Sequence, residues 1–193
     1  MKNLLYLLCL LPILITACGN DDDASPALLS ILANSNLEEG SGFLPSGWWN
    51  SPMNYSIEWT DEEAASGERS IKLSSTQAGS VDFGFWAQTI TENVIPGRKL
   101  DLAVLIKAED IVGEGLSLAI RTDNTPLPDG MAEQFFSTQG IQQTINGTFD
   151  WQNFAVSLNS DLFEDTQSIT VYLIMLPNTT GTAYFDDVRL NYQ

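Results

Sequence analysis

An all-β domain, a jelly-roll β-sandwich of two antiparallel sheets, is the fold class the sequence predicts, and three observations predict it. Short β-type runs follow one another from Pro26 onward, separated by Gly, Pro, Asn and Asp. Within them apolar and polar residues alternate with period two. Leu100, Leu102, Val104 and Ile106 stand against Lys99, Asp101 and Lys107, and Leu116, Leu118 and Ile120 against Ser117 and Arg121. No stretch reads as a convincing amphipathic helix, so sheets must pack on sheets.

The chain begins with Lys2, the apolar run Leu4 to Ile15, and small residues before Cys18. That is the order of a secretory leader, too short for a membrane span. Leu14-Ile-Thr-Ala-Cys18 resembles a bacterial lipobox, which implies cleavage after residue 17, acylation of Cys18 and a membrane anchor there. Residues 18–27 are a short acidic tether, Asn20-Asp-Asp-Asp23 included, with nothing apolar to order it. An acidic run just after an acylated Cys resembles the surface-export signal of some bacterial lipoproteins, which implies an outer-membrane location facing the cell exterior. Residues 28–193 form the one domain.

Across the 193 residues, 25 acidic side chains face 8 basic ones, for a formal charge of −17. Phosphate contacts and counterion release need Lys and Arg, so nucleic acid and other polyanions are poor partners. Losing the leader removes Cys9 and leaves Cys18 as the one cysteine, which rules out an internal disulfide. The chain holds no His, and with Cys18 acylated no free thiol, so the commonest general base, the thiol nucleophile and most zinc sites are missing and no enzyme is expected.

In order, strands are expected at 28–33, 54–60, 69–74, 81–91, 98–108, 115–122, 132–138, 141–146, 151–158, 168–176 and 182–191. The last of them, Thr182 to Asn191, sets Asp186 and Asp187 inside an apolar run. Parity groups Tyr184, Asp186, Val188 and Leu190 on one side. If that side is the core, Asp186 is a buried anion that needs an Arg, a Lys, several backbone N–H groups or a bound cation.

Several segments then line up. Asn34-Ser-Asn-Leu-Glu-Glu-Gly40, Gly47-Trp48, Ser66-Gly-Glu-Arg-Ser-Ile-Lys-Leu73, Trp86-Ala-Gln-Thr-Ile90, Pro96-Gly97, Trp151-Gln-Asn-Phe154 and Tyr184-Phe-Asp-Asp-Val188 stand in the order found in carbohydrate-binding modules of the family 4 and 9 type. The chain resembles such a galactose-binding-like jelly roll over roughly residues 30 to 192. It departs from the pattern in having Leu37 before Glu38, and Arg98-Lys99-Leu100 after the Pro-Gly turn.

The resemblance implies one structural calcium, held by Glu38 and Asp186, with backbone oxygens near Gly67 and Arg69. It also implies a polysaccharide or oligosaccharide on a concave sheet, with a larger glycan-uptake assembly as a further partner. Trp86 and Gln88 share a face of the strand that lines that sheet in the family, so Trp86 either stacks on a sugar ring or packs in the core. Arg121, on the polar side of its strand, either hydrogen-bonds hydroxyls or a uronate or is a solvated charge. Phe135 and Phe136 point to opposite faces, and Phe136 is expected to join the site. The alternative function is a structural or protein-interaction surface lipoprotein that keeps the sandwich without a glycan site.

Overall fold

A computed structural model describes residues 30–193 apart from positions 53, 80 and 129. The leader, the tether and Cys18 lie outside the described residues. Eleven strands follow in order: β1 (Gly40–Ser41), β2 (Leu44–Pro45), β3 (Trp49–Ser51), β4 (Ser56–Thr60), β5 (Ser70–Ser75), β6 (Gly84–Ile90), β7 (Leu100–Asp123), β8 (Gln134–Ser137), β9 (Ile145–Ser157), β10 (Ser168–Met175) and β11 (Thr180–Tyr192).

Every pairing is antiparallel. The order β3-β6-β10-β7-β11-β5-β4 passes through β7, which β8 and β9 also join. β7 belongs to both layers of the sandwich. Its first half, from Leu100, pairs with β11 and β9, and its second half, from Leu116, pairs with β10 and β8. Sheet I is therefore β4-β5-β11-β7-β9 and sheet II is β3-β6-β10-β7-β8.

The crossing was expected as a break between two strands, 98–108 and 115–122. It is instead one strand bent at Asp110 (φ 53°), Gly113 (φ 110°) and Gly115 (φ 90°). A Cβ on Gly113 would strike the Asn178 carbonyl, so only glycine lets the chain turn this corner. The strand expected at 141–146 forms only from Ile145, after a turn, and runs on through the one expected at 151–158 as β9. No strand forms at 30–33, where the backbone bends; Ile31 N–H nonetheless donates to Leu190 O at 2.9 Å and ties this segment to β11.

One apolar core lies between the sheets. Leu100, Leu102, Val104, Ile106, Ile71, Leu73, Phe185 and Leu190 enter it from sheet I, and Trp86, Leu116, Leu118, Ile120, Val171, Leu173 and Met175 from sheet II. Burial of this alternating set is what selects the register, since a one-residue slip would turn each strand's apolar face outward.

One strand breaks the parity expected of it. Between Asp186 and Arg189 the β11 register shifts, and Asp187 takes φ 46°. Before this bulge Ala183 and Phe185 face the core; after it Val188 and Leu190 do. Tyr184 is thus on the outer side of sheet I, a correction to its expected core position. Asp186 shares that side and is still fully buried, because the loop 61–69 folds over it.

Candidate functional site: a groove on the outer face of sheet II

The outer face of sheet II is read directly from its registers. Trp49, Ala87, Tyr172, Ala119 and Ser137 form one row across the five strands. Phe85, Ile174 and Ser117 form the next row on one side, and Thr89, Thr170, Arg121 and Phe135 the next on the other.

Ser117, Ala119 and Ser137 on this face are small and buried, and Phe85 and Tyr172 pack against Ala119. The same face carries an open groove of about 470 Å³ lined by Phe83, Phe85, Tyr172, Ile174, Phe135, Arg121, Glu114 and Gln139, with Leu176 and Pro177.

Aromatic contacts hold its walls. Phe85 meets Trp49 and Tyr172 edge-on, each with centroids 5.3 Å apart, and Phe83 lies 5.9 Å from Phe85. Phe83 and Phe135 remain 48% and 56% exposed, which makes them flat apolar surfaces available to a ligand.

The polar groups are few and fixed. Arg121 Nε–H donates to Asp123 Oδ2 at 2.8 Å and its Nη2–H to Asp123 Oδ1 at 2.7 Å. Nη2 also donates to the Gly130 carbonyl at 3.2 Å. The hydrogen bond to Asp123 raises the Arg121 pKa against the opposing pull of burial, so the guanidinium stays charged. Burial pushes the half-buried Tyr172 phenol up, and it stays neutral. At the other end Asn178 Nδ2–H donates to Glu114 Oε1 at 3.2 Å.

Of the four residues expected at a sugar site, the structure brings only Arg121 to this groove. Trp86 is 0% exposed, packs between the sheets and donates its indole N–H to Lys72 O at 3.3 Å. Gln88, 3% exposed, clips the N-terminal segment: its Oε1 accepts from Ala33 N–H at 2.8 Å and its Nε2–H donates to Ala33 O at 2.9 Å. Phe136 pairs with Ile120 and packs against the core.

Each miss has one cause. β6 carries an aromatic and a polar residue on each face, Trp86 with Gln88 and Phe85 with Thr89, so alternation cannot say which face is inside. The signal that does decide is cross-strand: Arg121 sits opposite Phe135, so an outward Arg121 requires an outward Phe135 and an inward Phe136.

The expected metal pair, Glu38 and Asp186, meets backbone N–H groups of the loop 61–69. Asp186 accepts from the N–H groups of Ala65 (2.8 Å), Ser66 (3.0 Å) and Asp187 (2.7 Å). Glu38 accepts from those of Glu68 (3.0 and 3.1 Å) and Arg69 (3.0 Å). A Cβ on Gly67 (φ +65°) would collide with the Glu38 carboxylate, so the glycine permits this cradle. Calcium takes six to eight oxygens, whereas the groups facing these carboxylates are N–H donors, and no group of three or more acidic side chains placed to hold a metal occurs among the described residues. As arranged, the two carboxylates anchor loop N–H groups. Burial lifts the Asp186 pKa from 3.8 to about 6, with the N–H groups pulling it back down and the Asp187 charge adding to the rise.

No family model matches the sequence, and no curated protein does. Solved structures do match. A cyclase from Fischerella sp. TAU superposes with a TM-score of 0.63 at 16% identity, over 86% of this chain and 98% of that one. A carbohydrate-binding module, TmCBM61 in complex with β-1,4-galactotriose, gives 0.51 at 14% identity, over 85% and 99%. The enzymatically active domain of tailspike protein 4 from bacteriophage CBA120 gives 0.61 at 14% identity over 86% of this chain, which spans only 22% of that protein. At these identities the likeness shows the fold alone: a jelly-roll β-sandwich of antiparallel sheets.

Proposed function

We propose that the protein is a non-catalytic, surface-anchored lipoprotein that binds a polysaccharide or oligosaccharide in the groove of sheet II, as a module of the family 4 and 9 type. The observation that carries this reading is the groove itself, where exposed Phe83 and Phe135 and half-buried Tyr172 stand together with Phe85 and Ile174. A sugar ring has an apolar C–H face and a rim of hydroxyls, so it asks for flat aromatics plus a few polar groups held on rigid strands. Arg121, Glu114 and Gln139 supply the polar groups.

Affinity electrophoresis against a panel of plant and algal polysaccharides tests it. Retardation by at least one polymer, lost in Phe83→Ala/Phe135→Ala with the melting temperature kept, supports the reading. No retardation by any polymer would replace it with the structural or protein-interaction lipoprotein.

The anchor is tested separately. Cys18→Ser should move the protein from the outer membrane to the soluble fraction, and continued membrane association would overturn the acylation. Exterior exposure, and membership of a larger glycan-uptake assembly, follow if protease added to whole cells removes the protein and if it copurifies with a transporter. Calcium at Glu38 and Asp186 has its own test. A melting temperature that climbs with calcium and falls with chelator would establish the ion, and identical curves would leave both carboxylates as anchors for loop N–H groups.

A further inference from the structure

We propose that Asp123 sets the chemical class of the ligand: by occupying the guanidinium of Arg121 it closes the groove to acidic glycans and leaves it selective for neutral ones. The inference rests on the groove being the glycan site.

Arg121 is the one cation among the described residues that line the groove. A uronate or sulfate would be recognised there by a fork of two parallel N–H···O bonds on one edge of the guanidinium. That edge is taken. Asp123 stands two residues on along β7, on the same face, with its side chain 3% exposed, and it already makes the fork at 2.8 and 2.7 Å. The Gly130 carbonyl takes a further Nη2–H.

A ligand carboxylate would have to displace an internal partner that is buried and held in place by the strand. Expelling it would leave an uncompensated charge in a nearly dry site. The remaining charges point the same way: Glu114 lies at the far end of the groove, and the chain as a whole is at −17. An anionic chain therefore meets a groove in which one cation is cancelled and one further anion is left over. A neutral glycan meets none of this, since stacking on Phe83, Phe135 and Tyr172 needs no counter-charge.

The test is affinity electrophoresis of the full chain and of Asp123→Asn on neutral polymers (galactan, xylan, β-glucan) and acidic ones (polygalacturonate, alginate). It is run at low salt and again at about 0.3 M, where screening within roughly 6 Å removes the long-range repulsion and leaves local contacts. The expected result is retardation of the parent by a neutral polymer only, at both salts, and a gain of at least about tenfold in affinity for an acidic polymer in Asp123→Asn, whose Arg121 loses its carboxylate counter-charge.

Parent protein that binds an acidic polymer as tightly as a neutral one at 0.3 M salt would overturn the inference and leave the groove reading standing. So would a folded Asp123→Asn with no gain. If that variant does not fold, the parent's comparison of the two polymer classes decides. Retardation by no polymer at all would bring down the groove reading, and this proposal with it.

Discussion

Two rows of side chains, one on each outer face of the sandwich, occupy equivalent places and do opposite things. On sheet I, Glu58, Lys72, Tyr184 and Lys107 lie in register across β4, β5, β11 and β7. On sheet II, Trp49, Ala87, Tyr172, Ala119 and Ser137 lie in register across all five strands.

The first row is satisfied within the chain. Lys72 Nζ pairs with Glu62 at 2.7 Å and Glu58 at 3.7 Å, Lys107 Nζ pairs with Glu63 at 2.7 Å, and the Tyr184 hydroxyl donates to Glu62 at 3.2 Å. Glu62 and Glu63 come from the loop 61–69, which Asp186 and Glu38 hold from beneath. The second row carries no charged side chain and borders the groove, whose rings Phe83 and Phe135 are about half-exposed. A face whose groups already have partners gains little from a ligand, while an apolar groove in contact with water gains from one. That difference is why the glycan groove is proposed on sheet II and a structural role on sheet I.

The strongest way to break the comparison is on β6, where Trp86 faces in and Phe85 faces out. Trp86→Ala should cost about 3–5 kcal/mol in chemical denaturation, as for a large aromatic removed from a packed core. A loss below about 1 kcal/mol would mean that Trp86 is not the core residue described, and would reopen its role at the surface.

Next in size is the pH response of Asp186 beneath the sheet I loop. Its folded value of about 6 lies above its ordinary 3.8, so the protonated form is the one that folding favours. Its contribution is then fully present below about pH 4 and is lost as the pH rises through 6, on the order of 3 kcal/mol in all. In chelator, parent stability should fall relative to Asp186→Asn between pH 4 and 7 and run parallel to it above. A difference that stays constant from pH 4 to 8 would contradict the burial argument.

Smaller again, and confined to binding, is Phe135→Ala. It should weaken glycan binding by about tenfold, the worth of one stacked ring, while stability stays within about 0.5 kcal/mol. An equal loss of stability and binding would place Phe135 in the fold instead of the site. The smallest effect belongs to sheet I: Lys72→Met should lower the melting temperature by less than about 5 °C and leave binding unchanged, since its partners Glu58 and Glu62 are half-exposed and solvent screens them.

The architecture was legible in the sequence because alternation reports burial directly. Leu100 to Ile106, Leu116 to Ile120 and Phe154 to Leu158 announce strands, and strands without helices announce a sandwich. The site was legible only at Arg121, where a charge among apolar neighbours marks the outer face.

Two local features hid the rest. The bulge at Asp186 and Asp187 resets the parity of β11, which moved Tyr184 outward and left Asp186 to be buried by a loop that is remote in sequence. β6 and β8 each carry an aromatic on both faces, so Trp86 and Phe136 looked as eligible as Phe85 and Phe135. A period-two pattern distinguishes core from water; it does not distinguish core from binding groove. The loop glycines behave alike: Gly67 and Gly113 look like ordinary turn residues until the atoms a Cβ would strike are known.

The location of binding is tested most directly by following the five tryptophan indole N–H signals and the backbone amides by NMR while a retarding oligosaccharide is titrated in. Trp49, against Phe85 and Tyr172, should shift progressively and saturate together with the amides of Tyr172, Arg121 and Phe135, while Trp86 and the Lys72 to Tyr184 row stay in place. Saturable shifts centred on Lys72, Tyr184 and Lys107, with Trp49 and Tyr172 unmoved, would put the binding face on sheet I and contradict the assignment.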